Sequence, residues 1–292
     1  MALTVGLVGT GRRASQVHAP TLAGSADVEF GGIWGRTAAA ARALAERYDV
    51  PVYDRFDDLL ERCDAVAFAV PPAVQAELAA DAARHGKAIL VERPIAGDLA
   101  GADELALAVE RAGVVSQVAL MWRYSPAVRT FLRTAVPKTA PVGGAGRLVS
   151  GVLAPGSGVS AWRTERGVLR DQAPDLLDLL DAALGPIAGV RAHGDPQGWV
   201  GLLLEQPIGH WSEVSLYALA PPGTRRAQVE VFGPEGHADL DCSDIVGPLT
   251  YERMYQEFAA AARDGTGHEL DVRRGRHIQQ VVEAAETDLM MV

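Results

Sequence analysis

The stretch Thr4-Val5-Gly6-Leu7-Val8-Gly9-Thr10-Gly11-Arg12-Arg13-Ala14 decides the fold. An apolar run that reads as a strand from Thr4 to Val8 ends in a Gly-x-Gly-x-x-Ala string, which in turn opens a helical stretch. Gly9 permits the tight turn, Gly11 lets the backbone approach a pyrophosphate, and Ala14 is small enough for the helix to pack closely on the strand. The unpaired N–H groups at the helix start carry a partial positive charge toward the phosphates. Such a string is weak alone. Its place between strand and helix makes Gly9, Thr10, Gly11, Arg12, Arg13 and Ala14 the contacts of a dinucleotide cofactor.

Outward from this loop, short apolar runs alternate with longer Ala-rich amphipathic ones. Strands are predicted at Thr4–Val8, Val28–Trp34, Ala65–Val70, Ala88–Val91 and Val114–Leu120, with helices at Thr37–Tyr48, Ala73–His85 and Ala100–Ala112. Their near-continuous hydrophobicity is that of a parallel sheet covered on both faces, a doubly wound Rossmann domain over residues 1–120. Beyond Leu120 a Pro- and Gly-rich loop from Pro137 to Gly146 precedes a strand at Arg147–Leu153 and a helix at Asp171–Leu184. Strands at Trp199–Leu204, Ser212–Leu219 and Ala227–Phe232 follow, then helices at Leu249–Arg263 and Arg273–Asp288. The expectation is a second α/β domain over residues 121–292 with a mainly antiparallel open sheet.

Composition narrows the function classes. A length of 292 residues suits about two domains, and a net charge of -10 argues against nucleic acid as partner. Cys63 and Cys242 stand far apart and outside any metal-ligand spacing, and the histidines show none either, so neither a disulfide nor a metal site is expected. No apolar run reaches the ~20 residues of a membrane span and no signal peptide opens the chain, so a cytoplasmic location is expected.

The end of the second strand sets cofactor preference. A NAD site would place an acid there to bind the ribose hydroxyls; this chain has Gly35-Arg36-Thr37. Arg36 suits a 2'-phosphate, with Arg12 and Arg13 adding charge beside the pyrophosphate, so NADP is expected and NAD stays open.

Several strings resemble one family across nearly the whole chain: the glucose-fructose oxidoreductase, inositol dehydrogenase and MocA family. They are Gly32-Ile33-Trp34-Gly35-Arg36-Thr37, Ala69-Val70-Pro71-Pro72, Gly86-Lys87-Ala88-Ile89-Leu90-Val91-Glu92-Arg93-Pro94, Trp122-Arg123-Tyr124, Trp162-Arg163 and Val231-Phe232-Gly233-Pro234-Glu235-Gly236. The resemblance implies cofactor contacts at Val70, Pro71, Pro72, Glu92 and Arg93, and a small sugar, cyclitol or related carbonyl or alcohol substrate held between the domains. It also implies a homo-oligomer, a dimer or tetramer, formed through the C-terminal sheet. Two positions depart from the family pattern. Arg93 stands where the family has a catalytic lysine, and Asp175 stands where it has a histidine, in Asp171-Gln172-Ala173-Pro174-Asp175-Leu176-Leu177-Asp178.

Arginine does not release its proton near neutral pH but remains a strong donor for a substrate oxygen. The proton must then come from elsewhere. Asp171 and Asp175 lie four apart on one helical face and crowd each other, and Tyr124 is a further donor, so Arg93, Asp171, Asp175 and Tyr124 are the catalytic candidates. A dinucleotide-binding protein without turnover, a regulator or sensor, is the alternative on the same scaffold.

Overall fold

The computed structural model describes residues 2–159 and 161–291, the side chains of 161 and 162 excepted. The chain forms two compact units, residues 1–119 with 248–277 and residues 120–247 with 278–292.

In the first unit, β1 (Leu3–Val8), β2 (Val28–Trp34), β3 (Ala65–Phe68), β4 (Ala88–Val91) and β5 (Ser116–Val118) form a parallel sheet in the order β2-β1-β3-β4-β5. A single parallel bridge between Ile33 and Val52 lies beyond β2, a third Rossmann strand reduced to one residue pair. Every residue of β3 and β4 is buried, as strands covered on both faces require. The helices are α1 (Ala19–Gly24), α2 (Ala38–Glu46), α3 (Phe56–Arg62), α4 (Pro72–Arg84) and α5 (Leu99–Ala112). Gly113, left-handed at φ 65°, ends α5, while Asp98 caps its start by accepting from the Gly101 N–H. The chain leaves β1 toward β2 on one side and returns to β3 on the other, so the ends of β1 and β3 mark the switch point where ligands bind in such sheets.

The second unit opens with α6 (Pro126–Thr130) and β6 (Gly143–Ser150), followed by α7 (Ala161–Leu184), β7 (Gly189–Gly194), β8 (Trp199–Glu205), β9 (Trp211–Tyr217), β10 (Arg225–Gly233) and β11 (Gly236–Asp241). Its six strands run in the order β11-β10-β6-β9-β8-β7, antiparallel except for β6 beside β9. The expected loop through Gly146 is strand from Gly143 onward. These glycines serve packing rather than turning: a Cβ on Gly146 would lie 2.7 Å from the Leu176 side chain, so its absence lets α7 settle on the sheet. α7 itself begins ten residues before Asp171 and is broken at Gly167, whose φ of 73° and proximity to the Pro196 carbonyl (2.4 Å from a Cβ) exclude a side chain.

After β11 the chain returns to the first unit through α8 (Pro248–Asp264) and the start of α9 (Val272–Met290). This corrects the expectation that all of residues 121–292 form one domain. α8 buries Met254, Tyr255 and Phe258 and packs on α1, β1 and β2; the Val118 N–H donates to Leu270 O at 2.7 Å and the Gln117 amide to Met254 O at 2.8 Å. Amphipathic periodicity reveals the helix, but the pattern alone does not say which sheet it covers.

Candidate functional site

The Gly-rich loop follows β1 directly. Gly9 sits at φ 124°, and a Cβ there would lie 2.4 Å from the Ala69 carbonyl, so this turn beside β3 admits only glycine. Its N–H donates to Trp34 O at 2.9 Å, tying the loop to the end of β2. A Cβ on Gly11 would meet no atom within 4 Å, which leaves the loop backbone open to a ligand. Ala14 is fully buried, and helical backbone begins at Arg12. A Cβ on Gly35 would strike Thr10 Cγ2 at 2.7 Å, so the two loops sit close together. These features fit a dinucleotide phosphate cradle.

At the end of β2, Arg36 is exposed and, among the described residues, forms no ion pair with any carboxylate. Thr37 opens α2 in extended geometry without using its side chain as a cap. Arg12 donates to Gln16 Oε1 at 2.9 Å on the helix surface. Pro71 and Pro72 start α4 right after β3, the proline at N1 needing no N–H partner.

The end of β4 carries a network that sequence reasoning did not find. Glu92 Oε1 accepts from Arg13 Nε at 2.5 Å and lies 2.9 Å from His18 Nε2; His18 Nδ1 lies 2.7 Å from Tyr255 Oη. His18 and Tyr255 are wholly buried, and the Arg13 guanidinium lies over the Tyr251 ring at 5.4 Å. Burial opposes ionisation of Glu92, but the Arg13 charge and the His18 hydrogen bond outweigh it and hold the carboxyl down to about 2. Burial would lower Arg13, yet the Glu92 charge raises it above its ordinary value. Tyr255 is pushed well above its ordinary value by burial and then by Glu92. His18 thus bridges the Glu92 carboxylate and the Tyr255 hydroxyl through its two ring nitrogens. Arg13 pairs with Glu92 through Nε, with its side chain 36% exposed. His18 lies in a π turn, Ala14–His18, and no spacing in the sequence marks the distant Tyr255 as its partner.

In the second unit, the segment of α7 after Gly167 presents Asp171, Asp175 and Asp178 on one face, and all three are buried. Asp171 accepts from Arg163 Nε on Oδ1 and from the Gln172 amide on Oδ2, and Ser150 Oγ donates to Gln172 Oε1 at 3.1 Å. Two donors on two oxygens fix the orientation of this carboxylate. Asp178 accepts from Arg123 Nη1 at 3.3 and 3.4 Å. Tyr124 is fully buried on a 3-10 turn, Met121–Tyr124. The side chain of Trp162 lies outside the described residues. Burial pushes both the Cys63 and Cys242 thiols up to about 12, so neither is a nucleophile near neutral pH.

Comparison with known proteins agrees with this geometry. Residues 3–120 match the Gfo/Idh/MocA oxidoreductase family, NAD-binding Rossmann fold. An uncharacterised protein of Saccharomyces cerevisiae, YMR315W, is 28% identical over 275 residues, covering 86% of this chain and 78% of the relative. Inositol 2-dehydrogenase of Rhizobium meliloti is 38% identical over 98 residues, which is 32% of this chain and 29% of that enzyme. The crystal structure of GenD2 from gentamicin A biosynthesis, in complex with NAD, superposes with a TM-score of 0.87 at 21% identity over 99% of this chain and 94% of that one. At that identity the likeness is one of fold.

Proposed function

From the match of residues 3–120 to the Gfo/Idh/MocA oxidoreductase family, we propose an NADP-preferring dehydrogenase or reductase acting on a small sugar, cyclitol or related carbonyl or alcohol compound. The observation that carries the cofactor preference is the end of β2, where an exposed Arg36, without a carboxylate partner among the described residues, stands in place of a ribose-binding acid. Gly9, Gly11, Thr10 and the helix start at Arg12 would hold the pyrophosphate, and Arg36 and Thr37 the adenosine end. The nicotinamide, when bound, supplies hydride transfer. Arg93, half-buried after β4, donates to the substrate oxygen and stabilises negative charge there. Asp171, which Arg163 and Gln172 hold in place, or Asp175, at the position where the family has histidine, handles the proton, with Tyr124 as a further donor candidate.

A cytoplasmic homo-oligomer is part of this proposal. The outer face of the second sheet bears a groove of about 940 Å³ lined in part by Arg147, Arg191, Glu213 and Asp239. Trp199, Leu203, Trp211 and Phe232 are each nearly half exposed on that face. A second copy covering it would remove this apolar surface from water.

The test is a fluorescence titration with NADPH and NADH, followed by turnover assays on a panel of cyclitols, sugars and ketones. Arg36→Ala is expected to weaken NADPH about tenfold or more and NADH less than about twofold. Equal losses overturn the NADP preference. Tight NADPH binding without turnover on any compound favours the silent dinucleotide-binding alternative.

A further inference from the structure

Gln75 lies in the first turn of α4 and is wholly buried. Its side chain does not serve its own helix. The Oε1 atom accepts from the Glu92 N–H at 2.9 Å, and the Nε2 amide reaches three carbonyls of one segment: Glu92 O at 2.7 Å, Ile95 O at 3.2 Å and Pro94 O at 3.3 Å. The acceptor role of Oε1 toward an N–H fixes which end of the amide is which. One buried side chain therefore grips the backbone on both sides of Arg93. From the opposite direction, Arg13 and His18 hold the Glu92 carboxylate. The two grips differ: Gln75 controls where the chain passes, and Arg13 with His18 controls where Glu92 points.

We propose that Gln75 is a positioning residue for Arg93, fixing the backbone from Glu92 to Ile95 so that the guanidinium is presented to the substrate oxygen in one place. The inference rests on the reading of Arg93 as the donor to that oxygen. A donor that stabilises developing charge acts through placement within a few tenths of an ångström, so loosening its backbone lowers kcat more than it weakens binding. Gln75 itself is wholly buried and acts through the segment it grips.

The experiment uses the full chain with two substitutions. Gln75→Met keeps the volume and removes every hydrogen bond. Gln75→Glu keeps the shape and the acceptor for the Glu92 N–H but turns an oxygen toward three carbonyls. Three quantities are read: hydrogen exchange at the Glu92 amide, NADPH affinity by fluorescence, and kcat and KM on the panel compound that the wild type turns over fastest.

Both variants are expected to lose about tenfold or more in kcat, with KM and NADPH affinity within about threefold of wild type. Exchange at Glu92 should speed up in Gln75→Met. Gln75→Glu should regain kcat, relative to wild type at the same pH, as the pH falls and a protonated carboxyl again donates to a carbonyl. Should Gln75→Met fail to fold, the pH profile of Gln75→Glu decides alone. An unchanged kcat in an active enzyme overturns the proposal, as does a parallel loss of NADPH affinity, which would assign the clamp to cofactor binding. Absence of wild-type turnover on the whole panel removes the reaction Arg93 serves and is a different result from an active enzyme indifferent to Gln75.

Discussion

Replacing Glu92 by glutamine tests the charge network behind the Gly-rich loop. Glutamine keeps the volume and an acceptor oxygen, so what is lost is the negative charge between Arg13 and His18. In the folded protein the Glu92 carboxyl is lowered from 4.5 to about 2. That drop is equivalent to ~3 kcal/mol of stability at neutral pH. The Arg13 side chain is 36% exposed, and solvent screening trims the figure to ~2 kcal/mol. The sign follows from a depressed carboxylate: the stabilisation is full above 4.5, the unfolded value, and is lost as pH falls through about 2, the folded one. Wild type should therefore exceed Glu92→Gln by ~2 kcal/mol at pH 7, or about 4–8 °C in Tm, and by less than half of that at about pH 3. Urea unfolding of both proteins at a series of pH values measures the gap. A gap below about 0.5 kcal/mol at pH 7, or one that stays constant to pH 3, refutes the reasoning.

Other substitutions test separate parts of the reading. Gly9→Ala places a Cβ 2.4 Å from the Ala69 carbonyl at a positive φ, and should cost at least about 2 kcal/mol in unfolding free energy and abolish NADPH binding in a fluorescence titration. Asp171→Asn should reduce kcat at least about a hundredfold in steady-state assays while NADPH affinity changes less than about twofold, because the carboxylate anchored by Arg163 and Gln172 lies in the unit without the glycine loop. Leu203→Arg, on the exposed face of β8, should lower the assembled fraction in sedimentation velocity without lowering Tm by more than about 2 °C; an unchanged assembly state shows that a second copy does not cover this face.

The parallel sheet was legible because its strands are unbroken apolar runs between amphipathic stretches: Val28–Trp34 and Ala88–Val91 match the observed β2 and β4 residue for residue. The glycine loop was legible because its chemistry is local; Gly9, Gly11 and Ala14 each do what their size allows within one turn of chain. β6 was misread at its start because Gly143, Gly144 and Gly146 carry the composition of a loop. The reasons for those glycines are the Phe232 ring beside Gly143, the Glu230 carbonyl beside Gly144 and the Leu176 side chain beside Gly146, all far off in sequence. Packing against a remote element leaves no periodic trace.

The same distinction separates the readable half of the candidate site from the other half. Arg36 is informative where it stands, because a place just past the end of β2 fixes its neighbourhood. Arg13 is not: four residues of sequence context give a cation beside a phosphate loop, whereas its partner Glu92 lies 79 residues away. His18 and Tyr255 are 237 residues apart, on a helix after the first strand and on α8 after the last one. What joins them is the return of residues 248–277 to the first unit. That return also accounts for the complete burial of His18. α8 lays Tyr255 over His18, and the buried imidazole has both nitrogens bonded, one to the Tyr255 hydroxyl and one to the Glu92 carboxylate. The Rossmann strands thus provide the loop that can receive a dinucleotide, while a segment from the far end of the chain locks the residue that holds Glu92. Arg93 follows Glu92 directly, so its placement depends on contacts made by both ends of the sequence.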